Sequence, residues 1–111
     1  MYALSVVDPY VRIWPTVNGK RLDKKKTSIM TKTLNPVYNE SFVFSVPADK
    51  IKASRVLLQV MDYDKLSKDD VIGVVELGHK TGQLTSNHWS EMLASKGRPV
   101  AHWHKLQEEK D

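Results

Sequence analysis

Phe42, Phe44 and Val46 alternate with Ser41, Val43 and Ser45. A period of two sends the two sets to opposite faces of an extended segment, so 40–46 reads as a half-buried strand. The β-branched runs at 55–62 and 71–78, bounded by Asp or Gly, read the same way. Segments 9–17, 25–32 and 99–106 are weaker strand candidates. Pro15 lacks an N–H and implies an edge or a bulge in the first of them. Turn chemistry separates the runs at Asn18-Gly19, Asn35-Pro36, Pro47-Ala48-Asp49 and Gly78. Only 87–95 has helical character, with Ser86 or Asn87 as cap, Trp89, Met92 and Leu93 on one side, and Gly97 then Pro99 as the stop. Six short strands and one helix in 111 residues predict an all-β fold, an antiparallel β-sandwich with the helix before its last strand. The length suits a single domain, 1–111.

Several functions are excluded at once. The chain has no cysteine, which removes disulfide scaffolds, thiolate zinc sites and cysteine nucleophiles. No apolar run reaches the ~20 residues of a membrane span. The first residues carry no basic signal-peptide region, so a cytoplasmic setting is expected. No Gly-x-Ser-x-Gly, His-Glu-x-x-His or glycine-rich phosphate loop occurs, and a non-enzymatic role is expected. His102 and His104 share a strand face, but two imidazoles without a cysteine or a third histidine make a poor zinc site.

Charge is unevenly placed. Arg12, Lys20, Arg21, Lys24, Lys25, Lys26 and Lys32 face a single acid, Asp23, so this segment alone carries more positive charge than the net +4 of the chain. Such a run attracts polyanions, nucleic acid included. It also serves simply as a solvated strand edge that resists aggregation. No run of stacking aromatics accompanies it, which argues against single-strand recognition.

The acids gather elsewhere. Asp62 and Asp64 are two apart at a strand end and project to the same side, and Asp69 and Asp70 follow a short loop later. Carboxylates crowded together repel unless a cation joins them, and hard oxygen ligands suit calcium. An EF-hand is excluded, because counting from Asp62 the sixth position is Ser67 and the twelfth is Gly73. Spacing alone leaves both a metal site and a solvated acidic turn open.

Further runs carry a resemblance. Asp8-Pro9-Tyr10-Val11, the stretch Thr33-Leu34-Asn35-Pro36-Val37-Tyr38-Asn39-Glu40, and Asp62-Tyr63-Asp64 resemble a C2 domain, in particular the second C2 domain of the synaptotagmins. Asn18-Gly19-Lys20-Arg21-Leu22 before a lysine run, His88-Trp89-Ser90-Glu91-Met92-Leu93, and the terminal Trp103-His104-Lys105-Leu106 resemble the same domain, and together the motifs cover 8–106.

The resemblance implies a peripheral module of vesicle traffic and exocytosis, on a vesicle or plasma membrane, that binds anionic phospholipids with calcium. It implies calcium ligands at Asp8, Asp62, Asp64 and Asp70 with the Tyr63 carbonyl, Asp69 being an extra acid nearby. The fifth acid of the family would fall at position 2, where Tyr2 stands, so one weak calcium site is expected. Phosphoinositides would meet Lys24, Lys25 and Lys26, with Lys20 and Arg21 leading in. Asp23 replaces a usual base and weakens the patch. Leu66 matches an apolar residue that dips into lipid. Arg98, with Gly97 in place of a second arginine, and Trp103, His104 and Leu106 match a protein-facing end whose partners would be SNARE-type fusion proteins or other C2 domains. A calcium-independent scaffold of the same family is the alternative.

A C2 domain has eight strands, and seven residues before Asp8-Pro9-Tyr10 cannot supply the first two. About six strands are therefore expected, with exposed edges, marginal stability and self-association through those edges. A splice form, a displaced start or a fragment would each leave this pattern.

Overall fold

The structure, a computed structural model, describes residues 7–110. Three nine-residue strands form its centre: β1 (Pro9–Val17), β4 (Ser54–Asp62) and β5 (Asp70–Gly78). Two short strands, β2 (Lys20–Arg21) and β3 (Lys25–Lys26), both pair with β1. All pairings are antiparallel, and the sheet runs β2-β1-β4-β5 with β3 also on β1. One helix, α1 (Gln83–Ala94), follows, and a 3-10 turn covers Ala48–Ala53.

Local chemistry explains the hairpin. Asn18 and Gly19 have φ of 51° and 76°, the left-handed pair of a two-residue type I′ turn, so Val17 pairs with Lys20 and Thr16 with Arg21. Ile13 then pairs with Lys25. Leu22, Asp23 and Lys24 therefore span the same distance as Trp14 and Pro15, which is the bulge that Pro15 implied. The bulge stands Lys24 outside the ladder.

The strand expected at 25–32 is a ladder only at Lys25–Lys26. Thr27 interrupts it: its Oγ1 accepts the Val11 N–H at 2.9 Å, taking the place of a main-chain carbonyl. The segment still runs beside β1, with Thr27, Met30 and Thr33 N–H groups donating to Val11, Pro9 and Val7 carbonyls. At 40–46 the alternation holds, Phe42, Phe44 and Val46 half-buried and Ser41, Val43 and Ser45 exposed, but the segment has no ladder partner among the described residues. The strand expected at 99–106 is likewise absent; one bridge, Val74 to Gln107, ties the C-terminal segment to β5. A sequence period reports which face is buried, and a ladder needs a neighbour as well. The second sheet of the sandwich is thus not built as a ladder among the described residues. The radius of gyration, 15.3 Å, exceeds the roughly 13 Å of a compact chain this long, in keeping with unpaired segments.

The helix begins at Gln83 rather than at 87. Ser86, expected as its cap, lies inside it, and its hydroxyl accepts the N–H of Thr81 at 3.0 Å. Of the three apolar residues expected to face inward, Trp89 is buried, while Met92 and Leu93 are exposed. The core is small: Tyr10, Ile13, Met61, Val75 and Trp89 are buried, together with the rings of Pro9 and Pro15 on β1. Gly73 is required where the C-terminal segment crosses β5, because a Cβ there would sit 2.8 Å from the Leu106 Cβ.

Candidate functional site

An antiparallel sheet brings the start of β1, the end of β4 and the start of β5 to one edge. Pro9 pairs with Asp62, and Asp62 with Asp70, so Asp8, Asp62 and Asp70 share that edge. Tyr63 is tied there as well, its N–H donating to the Asp8 carbonyl at 3.0 Å. The acids are brought to one end, yet their oxygens are occupied separately. Asp62 Oδ1 accepts the Asp8 N–H at 3.0 Å, and Asp8 Oδ1 accepts the Lys32 N–H at 2.7 Å. Asp64 turns into its own loop, where it accepts the Leu66 N–H at 2.8 Å and the Ser67 hydroxyl at 2.8 Å. The Leu66 amide, then the Ser67 hydroxyl, hold its carboxyl below the ordinary value. Asp62 and Asp64 therefore do not converge as their spacing suggested, and no three His, Asp or Glu side chains among the described residues are gathered as a metal ion requires.

Asp69, expected only as a bystander, braces the loop. It accepts the Asp64 N–H at 2.9 Å and the Tyr10 hydroxyl, and lies 4.0 Å from the Arg12 guanidinium. The Asp64 amide first, then Tyr10, lower its carboxyl, while burial and then the Asp69 bond raise the Tyr10 phenol. Leu66, at the loop tip, is 95% exposed.

The basic residues lie on the far edge of β1. Lys20, Arg21, Lys24 and Lys26 are exposed and Lys25 half-buried, and none enters an ion pair among the described residues. Trp14 organises two of them, with Arg21 at 4.4 Å and Lys24 at 5.1 Å from its ring centroid. Its Nε1–H is held by Gln59 Oε1 on β4. Nothing in the spacing of the sequence announced Trp14, which becomes visible only when the hairpin register places it across from the bulge. Lys25 points elsewhere: its Nζ donates to the Val43 carbonyl at 2.9 Å and sits 5.1 Å from the Phe44 ring centroid.

The third group of expected residues is divided. Arg98 is exposed just past α1, and Trp103 is 98% exposed. His104 turns inward onto His88, and Leu106 onto Gly73. Successive residues of an extended segment face opposite ways, so Trp103 and His104 do not present to one surface together.

Comparison with known proteins agrees with this arrangement. A family model described as the C2 domain matches residues 2–106. Synaptotagmin-A of Diplobatis ommata and synaptotagmin-1 of Homo sapiens are each 52% identical over 104 residues, 94% of this chain. Synaptotagmin-7 of Homo sapiens is 46% identical over 99 residues. The chain spans about a quarter of the length of these relatives, 24% to 25%. Among solved structures, a C2 domain of a plant Extended Synaptotagmin 1 superposes with a TM-score of 0.59 at 29% identity, over 68% of this chain and 54% of that one. The antiparallel sheet with acids at one end and lysines on its edge, together with these matches, shows that the chain belongs to the C2 domain family and is related in sequence to the synaptotagmins.

Proposed function

We propose that the chain is a non-enzymatic, peripheral membrane-binding module, a single C2 domain that docks on anionic phospholipids. The observation that carries this reading is the row of exposed cations on β2, the bulge and β3, none of them neutralised by a carboxylate among the described residues. Unpaired charge on a sheet edge is attracted to an anionic leaflet at about 1 kcal/mol per basic residue near the surface. Phosphoinositide headgroups, with several phosphates, suit Lys24 and Lys26 best. No helix among the described residues is long and apolar enough to cross a membrane. The test is binding to liposomes with and without phosphatidylserine and phosphoinositide, in chelator. The K24A/K25A/K26A variant should lose most binding, and equal binding by parent and variant refutes the reading.

Calcium adds a second contact in this proposal. Asp8, Asp62, Asp64 and Asp70, with the Tyr63 carbonyl, are oxygen donors of the kind calcium takes. The ion, when bound, supplies positive charge beside the exposed Leu66, where lipid phosphate and acyl chain would both be met. Asp8 and Asp64 already spend an oxygen on a backbone N–H, so a cation there competes with those bonds. That same occupancy favours the second reading, a calcium-independent scaffold, in which the acids serve only to shape their loops.

A further inference from the structure

The structure supplies the third histidine that the sequence pattern lacked. His88 on α1 meets His104 and His102 of the C-terminal segment, with ring centroids 5.0 Å and 4.6 Å away. His88 Nε2 lies 3.0 Å from the Val100 carbonyl, which can only accept, so this nitrogen carries the proton. In the neutral ring His88 Nδ1 is then an acceptor, and His104 Nε2, 2.7 Å away, must donate to it. Two ligands on a tetrahedral zinc at ~2.0 Å would stand about 3.3 Å apart, so the spacing is that of a shared proton rather than of a metal.

We propose that the His88–His104 pair is a proton-sensitive latch that docks the C-terminal segment on α1 and β5 at neutral pH and releases it on acidification. Once both rings carry a second proton, His88 Nδ1 and His104 Nε2 become two N–H groups facing one another at hydrogen-bond distance. His102 adds to this: it contacts Glu91 at 2.8 Å, an ion pair once protonated, and its ring lies 6.3 Å from that of His104. Three cationic rings would then share one carboxylate. The cleft bordered by His104 also takes Arg21 from β2, Glu76 from β5, and Lys105, Glu108, Glu109 and Lys110 from the segment itself, acids and bases in balance. None of them is hydrogen-bonded to the three rings. Beyond the histidines, the segment is held by the two Val74–Gln107 backbone bonds, by the Gln59–Glu109 side-chain hydrogen bond and by Leu106 on Gly73. Few contacts resist its release.

Burial first, then the charges of His88 and His102, lower the His104 imidazole from its ordinary 6.5. A folded value below the unfolded one means the docked form prefers the neutral ring. Its advantage is complete above about pH 6.5 and is lost as the pH falls through the lowered value. Release also withdraws Glu109 from Gln59, the residue that orients Trp14.

The test is amide hydrogen exchange by NMR at pH 7.5 and 5.5, corrected for intrinsic rates. In the parent chain, protection of the Val74 and Gln107 amides should fall ~tenfold or more relative to the β1–β4 ladder, tenfold being one pH unit of single-proton linkage. H104Q, with a side chain that donates but does not titrate, should show no such fall. Unchanged protection in the parent, or an equal fall in H104Q, overturns the latch. Should H104Q not fold, the titration of His104 in the parent decides: a midpoint below 6.5 supports it, and one at or above 6.5 overturns it.

Discussion

Asp62 lies directly opposite Asp70 at the last pairing of β4 with β5. Like charges facing each other across a ladder are destabilising, by roughly 0.2–1 kcal/mol for a cross-strand pair. Asp62 is fixed by the Asp8 N–H, whereas Asp70 is exposed and makes no side-chain hydrogen bond among the described residues. D70N should therefore raise the urea midpoint in calcium-free buffer by an amount in that range. A lowered midpoint would show that the opposed pair is not a source of strain.

The loop after β4 should depend on acid in a defined direction. Asp64 accepts from Leu66 and Ser67, and its carboxyl is lowered from 3.8 by those bonds. A depressed folded value means that the loop's order is complete above about pH 3.8 and is lost as the pH falls through the lowered value. The Leu66 and Ser67 amide shifts should move together in an NMR titration with a midpoint below 3.8. A midpoint above it would mean the carboxylate is not the acceptor in solution.

The three lysines are not equivalent. Lys26 is exposed, and Lys24 sits outside the ladder over Trp14, so both are available to an anionic surface. Lys25 instead links β3 to 40–46 through the Val43 carbonyl. K24A and K26A should each weaken liposome binding roughly fivefold, as ~1 kcal/mol apiece implies, with the loss shrinking at high salt. K25A should reduce binding less and instead lower thermal stability. Equal binding losses for all three would mean that the Lys25 contact does not persist.

What the sequence revealed, and what it hid, follows one physical line. β4 and β5 were legible to within one residue because each is a largely apolar or β-branched run bounded by Asp or Gly, and β1, the weaker candidate, was bounded at 9–17 by the Asn18-Gly19 turn that follows it. The segment 40–46 was legible in its faces and illegible in its pairing, since alternation encodes burial and a ladder depends on a distant neighbour. Of the candidate sites, the acids and the lysines were readable from composition. Their division of labour was not: Asp69 as a brace, Trp14 as a cation platform and Lys25 as a tether all depend on register. His88 lies on the helix and His104 on the tail, and only the docking of one on the other makes them a pair.

Met61 carries much of the small core. It is 1% exposed, on β4 beside the irregularity at Val60 and opposite Tyr10 and Val71. Truncation of a buried methionine to alanine costs about 2–5 kcal/mol, and a domain of this size has about 5–15 in all. M61A should lower the thermal midpoint read by circular dichroism by about 10 °C or more, as roughly 4–8 °C per kcal/mol implies. A cooperative transition within a few degrees of the parent would mean that other residues carry the core.

Calcium binding, on the proposed reading, should be weak and should strengthen on a membrane. Every carboxylate of the set except that of Asp70 already accepts a hydrogen bond, since Asp62 holds the Asp8 amide, Asp8 the Lys32 amide, and Asp64 the Leu66 and Ser67 groups. A calcium ion takes six to eight oxygens, and four carboxylates with the Tyr63 carbonyl leave positions for water or lipid phosphate. Its binding energy is reduced by every backbone bond that must break to free an oxygen. One ion should bind, with a Kd on the order of 10⁻⁴–10⁻³ M in solution. Anionic liposomes should tighten it, because phosphate supplies missing oxygens and the exposed Leu66 gains an apolar contact beside the ion. Calorimetry on the parent, D64N and D70N, each with and without liposomes, checks this. D70N should lose most of the calcium heat, having surrendered the donor that no backbone group occupies. Two tight sites in solution would show that the carboxylates are freer than their hydrogen bonds indicate. No heat in either condition would assign the acids to loop structure alone.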